Sequence, residues 1–182
     1  MKVKKLVEKI VLPEKVQVTL ENGTAKVKGP KGELERQFKF RNVDITQEGN
    51  KIILSVKDAN KKDKMQLGTV ASHITNMVKG VSEGHMYKLK ICSGHFPMTV
   101  AITGKQFQIK NFLGEKVPRT IELKDGATVK VEGNEITVES TDIEKAGQVA
   151  ADIEQLSRIT NRDIRIFQDG IYITKKSKRT LE

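Results

Sequence analysis

Cys92, His85 and His95 have the greatest chemical reach of any residues in this chain. Cys92 and His95 stand three apart, which is metal-ligand spacing, and His85 offers a third ligand. A structural zinc site closes with four such ligands and a catalytic one with three and a water, and no carboxylate stands obviously paired with this set. The same residues form a Cys–His nucleophile pair only with an orienting third group and a cleft, and the sequence shows neither. Gly29-Pro30-Lys31-Gly32 and Gly104-Lys105 share glycines with a phosphate loop but not its spacing of Gly, four residues, then Gly-Lys-Ser/Thr. Asn22-Gly23-Thr24 is a formal glycosylation sequon. Met1-Lys2-Val3-Lys4-Lys5 is not followed by the apolar segment of a signal peptide, so the sequon reads as a hairpin turn. A single Cys excludes an internal disulfide and a four-cysteine metal site. The chemistry points away from an enzyme, a metal, a cofactor and a small-molecule substrate.

Charge is the stronger signal. The 182 residues hold 33 Lys and Arg against 23 Asp and Glu, a net +10. Residues 1–80 carry 17 basic and 9 acidic groups, residues 81–182 carry 16 and 14, and the last eight, KKSKRTLE, carry +3. Such concentration in the first half and the tail favours separate contact surfaces for an anionic partner. Lys175, Lys176, Lys178 and Arg179 form a basic tail, expected to be mobile and suited to phosphates. Arg158, Arg162 and Arg165 form a second cluster whose planar guanidinium groups match phosphate oxygens. Ser93-Gly94-His95-Phe96-Pro97 is a third segment, with small residues for close backbone approach and a Phe able to stack on a base or join a core. Aromatics make up 4% of the chain and Trp is absent, too few for a single-strand stacking platform. Structured RNA, read by shape and phosphate, fits better. No apolar run approaches the ~20 residues that span a bilayer, so a membrane is not expected.

The elements that must position these groups are strands and two helices. Val16, Val18 and Leu20 alternate with polar residues up to the Asn22-Gly23 turn, and Ala25 and Val27 continue the alternation to Gly29. Leu34, Phe38, Phe40, Val43 and Ile45 mark further strand positions, and Lys51 to Val56 another strand. Leu67, Val70, Ala71, Ile74, Met77 and Val78 recur at helical spacing, which predicts a helix over about 61–79. The second half repeats this order, with strands around Val100, Ile109, Thr120 and Thr128 to Glu139. A helix follows, with Ile143, Ala146, Val149, Ile153 and Leu156 on one face and a capping box of Thr141 with Glu144. A last hairpin is expected around Asp169-Gly170, pairing Ile164 and Ile166 with Ile171 and Ile173.

The halves also match letter by letter. VKGPKGELERQF at 27–38 aligns with IKNFLGEKVPRT at 109–120, EGNKIIL at 48–54 with EGNEITV at 132–138, and GTVASHI at 68–74 with GQVAADI at 147–153. Three matches in one order, at offsets of 79 to 84 residues, indicate duplication. The fold class is α+β: two small domains, 1–82 and 83–174, each an antiparallel sheet on one helix, with a basic tail at 175–182.

Three segments carry a family resemblance: SGHFPMTV at 93–100, NFLGEK at 111–116 and LSRITNRDIRIFQDGIY at 156–172. With them the whole chain resembles the family of the sixth protein of the large ribosomal subunit, in its archaeal and eukaryotic branch; the short lysine-rich tail suits an archaeal member. That family is built of two similar α+β domains. The resemblance implies a structural protein of the cytoplasmic ribosome that binds large-subunit rRNA, chiefly through the second domain. It implies a place near the stalk base and the factor-binding region, with large-subunit proteins as neighbours. The family's RNA-contacting regions fall here on Ser93 to Pro97, on Arg158 to Arg165 and on the basic tail.

Overall fold

The computed structural model describes residues 3–21, 23–38, 42–177 and 179–180, in two compact units, Met1–Gly84 and His85–Glu182. Asn22, Phe40 and Lys178 lie outside the described residues, as does the side chain of Arg179.

The first unit contains strands β1 (Val3–Val11), β2 (Gln17–Glu21), β3 (Thr24–Gly29), β4 (Gly32–Gln37), β5 (Asp44–Glu48) and β6 (Lys51–Ala59), then helix α1 (Lys61–Ser82). They form two antiparallel three-stranded sheets, β1-β6-β5 and β2-β3-β4. Val18, Ala25 and Val27 from one sheet and Ile52, Leu54 and Val56 from the other share a core with Leu67, Val70, Ile74, Met77 and Val81 of α1. Burying each large aliphatic side chain contributes roughly 1.5–3 kcal/mol. That packing carries a helix whose own propensity is weakened by Gly68, Gly80 and β-branched residues.

Helix α1 starts at a capping box. Asn60 Oδ1 accepts from the N–H of Lys62 and Asp63 at 2.8 and 3.0 Å, and Asp63 Oδ2 accepts from the Asn60 N–H at 3.0 Å. Its far end runs to Ser82, beyond the expected 79, because Gly80 and Val81 stay buried in the core. The turn Gly29-Pro30-Lys31-Gly32 docks there. Lys31 N–H donates to Val81 O at 3.0 Å, and Lys31 Nζ donates to Glu83 O. Orphan carbonyls at a helix C-terminus are thereby satisfied by a cation and an amide. Gly29 allows the approach, since a Cβ there would lie 2.8 Å from both Val81 O and Val81 Cγ2.

The second unit repeats the plan and adds to it. β7 (His85–Cys92), β12 (Glu135–Ser140) and β11 (Thr128–Glu132) correspond to β1, β6 and β5. β8 (Thr99–Thr103), β9 (Gln106–Lys110) and β10 (Arg119–Glu122) correspond to β2, β3 and β4, and α2 (Ile143–Leu156) corresponds to α1. The additions are β13 (Gly170–Lys176), antiparallel to the other edge of β7, and a short β14 (Arg179–Thr180). Leu89, Phe107, Ile109, Phe112, Ile136, Val138, Val149, Ile153 and Ile171 make its core.

Five expectations change. The edge strand β1 escapes period-two reading because Lys and Glu interrupt its alternation and only Leu6 and Ile10 are half-buried. Ile164 and Ile166 do not pair with Ile171 and Ile173; they are 70% and 64% exposed in a loop. There the Asp163 carboxylate accepts from the Arg165 N–H at 2.9 Å, a local turn that competes with a ladder. The cap of α2 is Asp142, whose Oδ1 accepts from Glu144 N–H at 2.9 Å, instead of Thr141. The strand expected to stop at Ile173 continues through Lys175 and Lys176, which pair with Thr180 and Arg179 of β14, so this part of the tail belongs to the sheet. Cys92 and His85 sit in β7, inside the second unit, not at a junction.

Two glycines of the first unit give opposite results on replacement. Nothing lies within 4 Å of a Cβ at the helical Gly68. Gly68→Ala stabilises by about 0.5–1 kcal/mol through lost chain entropy in the unfolded state. Gly29→Ala destabilises by about 1–3 kcal/mol, because the Val81 backbone must move. Urea unfolding of both variants checks the sign of each change.

Candidate nucleic-acid interface

The three segments singled out by sequence meet in the second unit. Segment 93–97 follows β7 and is exposed throughout. The loop over 158–169 leaves α2 and ends where β13 begins. Asp169 joins the two. Its carboxylate is 3% exposed; Oδ1 accepts from Gly94 N–H at 2.6 Å and His95 N–H at 2.9 Å, and Oδ2 shares a 2.6 Å hydrogen bond with His95 Nδ1. Burial by itself pushes Asp169 up, but the His95 N–H, the His95 ring and the Gly94 N–H together hold it below the ordinary aspartate value.

The other end of the loop is pinned by Ser157, itself buried. Its Oγ donates to Glu154 O at 3.0 Å and accepts from Ile171 N–H at 2.8 Å. Arg119 braces the exit of α2, a role the sequence reading missed. Its Nη1 donates to Leu156 O at 2.9 Å and to Arg158 O at 3.0 Å. Nε and Nη2 fork onto Glu115 at 2.8 and 2.6 Å, and the guanidinium lies 4.3 Å from the Phe112 ring centre. The Arg119 hydrogen bonds hold the Glu115 carboxyl below the usual range. Arg119 and Glu115 are four apart, which is a visible signal, but the carbonyls they serve come from α2 and are not.

NFLGEK is the buttress of segment 93–97. Asn111, Leu113 and Gly114 take left-handed backbone at φ 59°, 50° and 78°. Asn111 Nδ2 donates to Pro97 O at 3.0 Å, and the half-exposed Phe96 ring lies against Gly114. Leu113 in that conformation costs about 1–2 kcal/mol, offset by the surrounding contacts.

The predicted cations differ in state. Arg162 lies 4.8 Å over the Phe167 ring, and Phe167 faces the His95 ring at 4.9 Å, so cation, aromatic ring and imidazole are stacked in series. Arg165 is held by Asp163, with Nη2–Oδ2 at 2.8 Å, which offsets its charge locally. Arg158 is exposed beside Ser157. Lys175 and Lys176 are exposed at the far end of β13, ~17 Å along the strand from Gly170, so they stand apart from the Asp169 cluster. The two histidines of the candidate metal set are engaged separately: His85 Nδ1 hydrogen-bonds Ser177 Oγ at 2.6 Å while His95 holds Asp169. Among the described residues no three His, Cys, Asp or Glu side chains gather to hold a metal ion.

The family model for Ribosomal protein L6 matches the chain twice, over residues 12–84 and 96–170. The chain belongs to the ribosomal protein L6 family. Relatives named large ribosomal subunit protein uL6 are 45% identical in Methanobrevibacter smithii, over 93% of this chain and 95% of the relative, and 47% identical in Ignicoccus hospitalis, over 89% and 90%. A third, from Sulfurisphaera tokodaii, is 45% identical over 97% and 95%. As an L6 family member the chain is a structural, non-enzymatic component of the large subunit in the cytoplasmic ribosome, and its listed kin here are archaeal. No helix among the described residues is long and apolar enough to cross a membrane.

The Asp169 pairing predicts a pH signature. Its folded pKa lies below the unfolded value near 3.8, so its contribution to stability is present above that value and is lost as pH falls through the lower folded one. Asp169→Asn costs roughly 1–3 kcal/mol at neutral pH. The gap from the parent protein stays constant between about pH 7 and about pH 5 and narrows below about pH 4 in urea titrations.

Proposed function

We propose that the second unit binds large-subunit rRNA through segment 93–97 and the 158–169 loop, near the stalk base and factor-binding region, and stabilises the tertiary structure of that RNA. The observation that carries this reading is the Asp169 carboxylate bridging Gly94 and His95 to a loop bearing three arginines. Residues 74 and 75 positions apart become one surface with its backbone already ordered, which lowers the entropy cost of binding. On this reading Ser93, Gly94, His95, Phe96 and Pro97 supply shape and close backbone approach, and Arg158 and Arg162 supply phosphate contacts. Arg165 positions the loop through Asp163 and contributes less charge. Lys175, Lys176, Lys178 and Arg179 form a second phosphate contact, and large-subunit proteins around the stalk base are the neighbours. The stalk-base placement rests on the family resemblance.

Nuclease footprinting on deproteinised large-subunit rRNA tests the placement: protection concentrated in the stalk-base and factor-binding helices supports it, and protection elsewhere overturns it. Salt titration tests the contact type. Neutralising about five phosphates gives a slope of roughly −4 in log affinity against log salt. Arg162→Ala reduces the slope by about one, and Arg165→Ala by less, in filter-binding titrations.

A further inference from the structure

Segment 93–97 and the 158–169 loop enclose a concave pocket of about 590 Å³ beside the Asp169 bridge, lined by Cys92, Ser93, His95, Ile166, Gln168 and Tyr172 among others. The volume falls within the ~300–1,000 Å³ of sites that take a small molecule or a nucleotide. Its walls have a specific chemistry. Tyr172 is 44% exposed, on a strand pinned against Lys90 of β7, and its ring lies over Gly170, where a Cβ would approach it to 3.2 Å. Ile166 is 64% exposed, an apolar wall in a chain of net +10. Gln168 and Ser93 are exposed and bring an amide and a hydroxyl, each able to donate and accept. The Asp169 carboxylate is already occupied by two N–H groups and an imidazole, so its charge is spent inward.

We infer that this pocket receives one unstacked nucleobase of the bound RNA, held against Tyr172 and Ile166 and read along its edge by Gln168 and Ser93. The inference rests on the RNA reading above. A planar apolar slot with adaptable polar edges matches a base splayed from a loop or bulge, the form in which proteins read RNA sequence. The arginines at 158 and 162 on the same loop match the phosphates on either side of such a base; an apolar protein side chain would gain nothing from them. The loop is pinned at both ends by Ser157 and Asp169, so the slot exists before RNA arrives.

The test uses the full chain and deproteinised large-subunit rRNA of Methanobrevibacter smithii. Tyr172→Ala weakens binding about tenfold while leaving the salt slope unchanged, because stacking releases no counterions. Tyr172→Phe keeps the ring and binds within about twofold of the parent. Short-wavelength ultraviolet irradiation of the complex formed by the unsubstituted protein, followed by mass spectrometry, places a nucleotide on a peptide containing Cys92 or Tyr172. Tight, salt-dependent binding with cross-links confined to residues 158–165, and parental affinity in Tyr172→Ala, overturns the base pocket and leaves the RNA reading standing. A protein side chain found cross-linked in the pocket within intact subunits overturns the nucleobase assignment in favour of a protein neighbour. Failure of the unsubstituted protein to bind the RNA at any salt overturns both.

Discussion

A buried carboxylate is costly unless donors surround it, and the geometry of the second unit follows from how Asp169 meets that requirement. Two consecutive backbone N–H groups and an imidazole, all from Gly94 and His95, converge on it. Those donors exist only if the turn after β7 and the start of β13 lie side by side. Pairing of Gly170 with Cys92 and of Ile171 with Ile91 puts them there. Ser157 repeats the device at the opposite end of the loop, and Arg119 satisfies the carbonyls that α2 leaves open. A loop without regular structure thus becomes a fixed surface.

Comparison of the two units shows what the additions are for. Both have a helix, two antiparallel sheets and the same strand order. In the first, α1 leads almost directly into β7. In the second, α2 leads into a long loop and then β13, which occupies the edge of β7 that has no counterpart partner strand beside β1 among the described residues. The stacked Arg162, Phe167 and His95 and the pocket beside them belong to that added part.

Net charge is a poor guide to which unit offers the better anion surface. Residues 1–80 carry +8 and residues 81–182 only +2. In the second unit much of the charge is absorbed in pairs on its own surface, such as Lys88 with Glu135, Lys105 with Asp125 and Lys124 with Asp152. Surface pairs of this kind contribute little to stability, but they remove like-signed field from the places where they occur. Arg162 is instead held over an aromatic ring, with its charge directed by packing.

Much of the fold was legible because its signals are local. Turn glycines, two-residue alternation in β2, β3 and β12, and helical spacing in α1 and α2 each act within a window shorter than one element, and their repetition exposed the duplication. The sequence determined the α+β class, the two helices, the family and the segments worth watching. Signals failed where a competing interaction was short-range but unmarked: Asp163 turned Ile164 and Ile166 away from a ladder, and Asp142 took the cap that Thr141 resembled. The edge strand β1 was hidden because a strand buried shallowly on one face has little need of strict alternation. Only the tertiary structure decided that Asp169 faces Gly94 and His95, that Arg119 serves the end of α2, and that Lys175 and Lys176 belong to a strand. Those outcomes depend on which strand lies beside β7, a choice made by the burial of Leu89, Ile91 and Ile171 together in one core, across a separation that no local pattern spans.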